Sequence, residues 1–451
     1  MNPRNSYEEI AASLIRLAEE RGAGAAEATV SAGDEFEAQI RLGNIETLKE
    51  AGSRAAGIRL LFDRRVGSAY TSDLTPEGLC RMVDSAAALA AISTEDPHAG
   101  LPGAGDLGAL EGDLQLFHES VDALDPAVKI DLARQAERAA LDFDPRIDNS
   151  EGGSFGSSSG WRAFANSLGF LGSYRSSSCS LSVVPVASAE GRRERDYWFT
   201  SARSPEGLES PEFVGQTAAR RVLRRLGARK AATQKAPVVF EPRVARSLVG
   251  HIFSAVSGDA VYRKASYLAG LLGQPVAGAN VTIVDDGTLP GLFGTSPFDD
   301  EGVPSRRTAV IEGGVLANYL LNSYTARKLG LKTTGNASRG VTGNASVGHG
   351  NLFLQPGDAS PEQMISSVRN GLFVTELLGS GVNIVNGDYS RGAAGVWIEN
   401  GELTWPVHEI TISGNLRRMF EQIEAVGSDL EFRGSVACPT LLIGEMTVSG
   451  Q

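Results

Sequence analysis

The chain has 451 residues, 42% hydrophobic and 21% charged, which is the make-up of a globular protein of about three domains with a sizeable core. Its formal net charge of −12 argues against a bare nucleic-acid binder, since phosphate contacts need a basic surface. Cys80, Cys179 and Cys438 are scattered without CxxC spacing, no run approaches the roughly 18 apolar residues of a membrane span, and the N-terminus lacks a signal-peptide core; a soluble, cytoplasmic protein without a disulfide framework is expected.

Ile10, Leu14, Ile15 and Leu17 recur at helical spacing within residues 6–22, and Gly22 ends that helix. Strands are expected at 27–31, 36–42, 57–62 and 66–72, with Asp63-Arg64-Arg65 turning between the last two, and a helix at 76–91. This αββββα order predicts a helix packed on an antiparallel sheet. Residues 96–112, rich in Pro, Gly and Asp, form a surface connection.

A second unit opens with a helix at 126–143, followed by strands at 161–166, 168–177, 180–188 and around Tyr197–Thr200. A helix at 211–226 closes it, with Arg220, Arg221, Arg224, Arg225 and Arg229 on a basic face, read as either solvated or meeting an anionic partner. The third unit starts with a strand at 237–240 and a helix at 243–256, then turns glycine-rich. Gly-Asn-Ala-Ser occurs at both 335–338 and 343–346, within a stretch, 333–350, almost free of large apolar residues; it reads as a mobile surface loop. A helix at 416–425 precedes closing strands at 440–443 and 446–448.

The most informative stretch is 371–416. Asn400-Gly401 between Val396-Trp397-Ile398-Glu399 and a run from Glu402 to Val407 is a strong hairpin signal, because both central residues of a type I′ turn need positive φ. Just upstream, a glycine-flanked loop presents Asp388, Tyr389, Ser390 and Arg391 together. The expected architecture is α+β: mixed α+β units at 1–112 and 113–232, and a large glycine-rich, mainly antiparallel β domain with a few helices at 233–451.

The wording VTELLGSGVNIVNGDYSRGAAGVWIENGELTWPVHEITISGNL, together with the runs at 257–266, 296–302 and 323–330, closely resembles the TldD/PmbA family, on its PmbA (TldE) branch. The resemblance is dense over the C-terminal half and looser before it. It implies a heterodimer in which a TldD zinc metallopeptidase supplies the chemistry and this branch completes a chamber for small or unfolded peptides. It leaves a homodimer open for the isolated chain, with neither nucleic acid nor membrane as a partner.

In the catalytic branch the helix matching 243–256 carries His-Glu-x-x-x-His, two zinc ligands and a general base. Here the matching residues are Arg246, Ser247 and His251. A guanidinium does not deprotonate to bind a metal, and a serine hydroxyl is no base near neutral pH. A catalytic zinc takes three protein ligands and a water, so the motif is vestigial and no metal site is expected in this chain; zinc would sit in the TldD-like partner. The chain also has no GxSxG elbow and no two histidines at i, i+4 among His98, His118, His251, His349 and His408.

Other residues divide between chemistry and structure. Asp388, Tyr389, Ser390 and Arg391 are candidates for substrate binding, the arginine fork taking a peptide carboxylate, or else an internal ion pair locking the loop. Asp299-Asp300-Glu301 is either a hard-cation site or a turn satisfying backbone N–H groups, with Arg306 or Arg307 nearby. His408 and Glu409 point to opposite faces of a strand, and Glu376 reads as a structural acid. Two further readings remain: a metallopeptidase in its own right using His251 with His349, His408 or Cys438, and a non-enzymatic protein-binding regulator.

Overall fold

The computed structural model describes residues 3–450. The first part runs α1 (Pro3–Glu20), β1 (Ala25–Arg41), β2 (Asn44–Phe62), β3 (Arg65–Thr71) and α2 (Pro76–Ile92). The second runs α3 (Glu119–Ala123), α4 (Pro126–Leu141), β4 (Ile147–Asn166), β5 (Leu171–Ala189), β6 (Arg192–Arg195), β7 (Trp198–Ala202) and α5 (Pro211–Leu223). Residues 27–31 and 36–42, expected as two strands, are one, and β2 starts 13 residues before the expected 57, as its bounds show. The order is therefore αβββα.

Both parts feed one antiparallel sheet of seven strands, ordered β3-β2-β1-β4-β5-β6 with β7 also on β5. The helices α1, α2, α4 and α5 cover one face. Leu14, Ile58, Leu60 and Val83 pack under the first pair, and Phe36, Phe155, Leu181 and Val214 under the second. Strand alternation sends the odd residues of β4 and β5 into this core, so the even ones form the opposite face.

The C-terminal domain runs β8 (Gln234–Phe240), α6 (Pro242–Val256), α7 (Gly258–Tyr262), β9 (Ile283–Asp286), β10 (Arg307–Glu312), β11 (Val315–Leu316) and α8 (Ser323–Leu329). It continues with β12 (Ala337–Ser338), β13 (Ser346–Val347), β14 (Asn351–Leu354), α9 (Pro361–Ser367), β15 (Asn370–Leu378), β16 (Asp388–Glu399) and β17 (Glu402–Asn415). It ends with α10 (Leu416–Glu421), β18 (Ile423–Val426), β19 (Val436–Ala437) and β20 (Leu441–Ser449). The expected helix at 416–425 gives way to β18 after one and a half turns, and the two closing strands are one bulged strand, β20.

Five strands, β17-β16-β15-β8-β20, close into a ring because β17 also pairs with β20, and β18 is added outside. Only β8–β15 is parallel among these pairs. Asn400 at φ 52° and Gly401 at φ 84° make the expected β16–β17 turn. A smaller sheet, β11-β10-β9-β14-β19, lies beside the ring, and α6 packs Leu248, Val249, Ile252 and Val256 into their shared core.

Ion pairs tie the domains together, and they correct two expectations. On the basic face of α5, Arg220 and Arg229 are exposed, whereas Arg221, Arg224 and Arg225 are held by acids of the fold and are not free for a partner. Arg221 forks onto Glu241 at 2.7 and 3.0 Å with its side chain 8% exposed, and Arg225 reaches Glu376 at 2.6 Å and Glu194 at 3.2 Å. Glu376 is thus a structural acid. The stretch 333–350 is a docked strap. Arg339 meets Glu27 of β1 at 2.8 Å, Asn344 accepts from Arg59 of β2, and Arg162 of β4 donates to the Arg339 carbonyl. Gly57 of β2 lets the strap approach so closely that a Cβ there would lie 1.5 Å from the Val341 carbonyl oxygen.

Candidate functional site

The helix α6 starts with Pro242 at its first turn, where a missing N–H costs nothing. Its N-cap, Glu241, does not cap with its side chain, because that carboxylate is held by Arg221 and Arg224. Buried residues at 244, 245, 248, 249, 252, 255 and 256 trace one helical stripe and leave Arg246, Ser247 and His251 off it.

Arg246 and His251 are five residues apart, roughly 140° around the axis, and they face different neighbours. Arg246 lines a cavity of about 110 Å³ with Trp198, Phe199, Arg243, Arg433 and Cys438. Its guanidinium lies 5.9 Å from the Phe199 ring, and no ion pair engages it among the described residues. The Ser247 hydroxyl donates to the Val244 carbonyl at 2.7 Å, an ordinary helix back-bond. His251 stands edge-on to Tyr389, ring centres 6.1 Å apart; its Nε2 and the Tyr389 hydroxyl are both buried without a hydrogen-bond partner. Burial, then the nearby Arg391 charge, push the His251 pKa down, which keeps the ring neutral at pH 7.

Zinc does not fit this arrangement. The position of the first ligand holds a permanent cation, the position of the base holds a bonded hydroxyl, and His251 is turned toward Tyr389. Cys438, weighed as a replacement ligand beside His251, lies instead on the Arg246 cavity, and burial pushes its thiol well above the ordinary range. No group of three or more His, Cys, Asp or Glu side chains is placed to hold a metal ion among the described residues.

The residues 388–391 are strand rather than loop, the start of β16. Alternation therefore sets Asp388 and Ser390 on one side and Tyr389 and Arg391 on the other, so the four do not converge. Nor do Asp388 and Arg391 pair: Asp388 accepts from Asn386 at 2.7 Å and lies 3.4 Å from the Asn415 amide. Only Tyr389 and Arg391 side with His251.

The acidic turn satisfies backbone donors, as one of its two readings holds. Asp299 accepts from the N–H groups of Glu301, Val303 and Ala337, and Glu301 from that of Ser323. The cations that bond to it are Arg162, 2.7 Å from Asp300, and Arg339; of the two expected, Arg306 lines the same cavity as Asp299 and Asp300, and Arg307 lies 3.9 Å from Asp286. A polar cavity of about 280 Å³ adjoins this turn, where Asp285, pushed up to about 6 by burial, meets Asn336 and His349. Sequence reasoning passed over Asp285; its signal was an acid pair ending the β-branched run Val281-Thr282-Ile283-Val284. His408 and Glu409 go separate ways, to Glu194 and Lys230.

Sequence reasoning also missed the open face of the N-terminal sheet. Gly156, Ser158 and Gly160 of β4 pair with Ser180, Ser178 and Ser176 of β5 on the side away from the helices. Gly156, Ser158, Ser178 and Ser180, together with Glu35, Glu37 and Lys49, floor a concavity of about 570 Å³, bordered by Phe293 and Arg433 of the C-terminal domain. Small side chains and serine hydroxyls leave it roomy, with Phe293 at its border.

Models of PmbA/TldA metallopeptidase domains match the chain three times: domain 1 at 26–90, the central domain at 119–226 and the C-terminal domain at 233–450. Metalloprotease PmbA of Escherichia coli O157:H7 is 42% identical over 448 residues, 99% of this chain and 97% of that one. A crystal structure described as a modulator of DNA gyrase, from Bacteroides thetaiotaomicron, superposes with a TM-score of 0.91 at 28% identity, covering 98% of each chain. TldE of Thermococcus kodakarensis shares the α+β fold with a TM-score of 0.88 at 22% identity, over 98% of this chain and all (100%) of its own.

Proposed function

The chain belongs to the PmbA/TldD metallopeptidase family, and we propose that within it this protein is the non-catalytic subunit of a two-subunit peptidase, holding small or unfolded peptides in a chamber shared with a TldD-like partner. The observation that carries this reading is α6. Where the catalytic branch of the family has a metal ligand and a base, this helix has Arg246 and a Ser247 hydroxyl already bonded to Val244. Zinc in the partner supplies the water-activating step. This chain contributes the walls: the Ser/Gly face of the N-terminal sheet gives an extended peptide room and serine hydroxyls to bond, with Phe293 at its border. Three free cysteines accord with a cytoplasmic setting.

The test is zinc content by mass spectrometry, on the purified chain alone and after mixing with a TldD-like protein. Zinc only in the mixture, at about one per heterodimer, is the expected result, with peptide cleavage following the same pattern. Near one zinc per isolated chain, with chelator-sensitive cleavage, would overturn the reading. It would favour a metallopeptidase acting by itself, the reading suggested by the name of the Escherichia coli relative.

A further inference from the structure

The cavity beside Arg246 has an excess of positive charge. Around it five guanidinium groups, Arg221, Arg224, Arg243, Arg246 and Arg433, meet four carboxylates, Asp196, Glu209, Glu241 and Glu431. Four of the five cations are spoken for. Arg221 and Arg224 hold Glu241, Arg433 bridges Glu209 and Glu431 at 2.7 Å each, and Arg243 donates to the Tyr197 carbonyl and leans toward Asp196. Arg246 is the surplus charge: it lines the cavity 5.9 Å from the Phe199 ring, with no ion-pair partner among the described residues. A second donor is spare as well: the Arg243 Nε has no partner, on a side chain only 10% exposed that lines the same cavity. A buried N–H donor left unbonded is costly, and an anion accepting from it relieves that cost.

Val436, Ala437 and Cys438 give the same cavity an apolar wall. A guanidinium fork with an additional N–H matches the two oxygens of a carboxylate. The adjoining apolar wall matches a short aliphatic group. At about 110 Å³ the space is far below the 300–1,000 Å³ of a drug-sized site, so the guest is small.

We propose that this cavity binds the carboxylate of a small aliphatic acid, Arg246 and Arg243 taking the oxygens and the Val436–Cys438 wall taking the alkyl group. The C-terminus of a peptide and a free short-chain acid share this chemistry. The site belongs to the isolated chain. It deepens the peptide-holding reading if the source is a peptide end, and it fails or stands independently of where zinc resides.

The test is calorimetric titration of the full chain, at constant ionic strength, with three probes: propionate, N-acetylalanine and N-acetylalanine amide. One-site binding of at least one acid, and none of the amide, is expected. Tighter binding of N-acetylalanine assigns the site to a peptide end; tighter binding of propionate assigns it to a free acid. Arg246→Gln removes no ion pair, so it leaves the fold intact, and it is expected to weaken binding roughly tenfold or more. Arg246→Lys should fall between the two. Val436→Phe fills the cavity from its wall and serves as an independent block; it is expected to abolish binding while keeping the charge. Equal binding of the amide, affinity within twofold of wild type in Arg246→Gln, or no heat from either acid up to about 10 mM would each overturn the proposal.

Discussion

Replacing Gly57 by alanine tests how the two halves of the molecule are held together. An added Cβ would lie 1.5 Å from the Val341 carbonyl oxygen, where ordinary contact begins at about 3.4 Å, so strand and strap must separate by about 1.9 Å. A shift of that size breaks the bonds that pin the strap: Arg339 to Glu27 at 2.8 Å, Arg59 to Asn344 at 2.9 Å, and Arg162 to the Arg339 carbonyl at 2.8 Å. The first joins two buried charges and is worth about 1.5–3 kcal/mol; each of the others, with one charged donor, adds about 1 kcal/mol once solvent competes for the exposed end. The expected cost is therefore about 3–5 kcal/mol. Hydrogen-exchange mass spectrometry on peptides spanning 53–61 and 333–350, with urea unfolding alongside, reads both the local release and the global loss. Unchanged exchange in both segments with an unchanged urea midpoint would refute the idea that this close approach docks the strap.

Three further outcomes are expected. Glu241→Gln leaves Arg221, 8% exposed, without its fork partner and should cost about 3–5 kcal/mol by urea unfolding. Gly250→Ala adds a methyl group in the interior of α6 with nothing within 4 Å of it, and should stabilise by about 0.5–1 kcal/mol in the same assay. Asp285 has a carboxyl raised from 3.8 to about 6 by burial, so its contribution is full below pH 3.8 and lost as pH rises through about 6. Wild type should therefore lose about 2 kcal/mol relative to Asp285→Asn between pH 4 and pH 7, and equal pH profiles would contradict the assignment.

What could be read from the sequence was what local pattern records. The helix α6 follows from a stripe of apolar residues behind Pro242, and the β16–β17 hairpin from Asn400-Gly401 between alternating runs. The first half of β4, EGGSFGSSSG from Glu151 to Gly160, gave no strand signal, because Gly and Ser have low strand propensity and neither alternates with apolar residues. It is extended because β1 and β5 pair with it on both sides. The first half of β2 was missed for a related reason: residues 44–50 are exposed on both faces, so no alternation marks them. The α5 arginines could not be assigned from their own helix, since Glu194, Glu241 and Glu376, which neutralise them, are distant in the chain. The Arg246 cavity was invisible likewise, because Trp198, Arg246 and Cys438 meet only in the fold.

The ring of strands in the C-terminal domain also dictates an order of events during synthesis. The first member, β8, finds its antiparallel neighbour in β20, where Leu441 pairs with Phe240, roughly two hundred residues later. Until those last residues leave the ribosome, β8 has one bare edge and the end of β17 that β20 would cover has another. A nascent chain that has already folded its N-terminal sheet thus carries an unfinished barrel with two hydrogen-bonding margins exposed, the form in which strands find partners on other chains. Closure comes in one late step, and a ribosome that stalls before residue 441 releases a product whose C-terminal half is an aggregation template rather than a shortened copy of the domain.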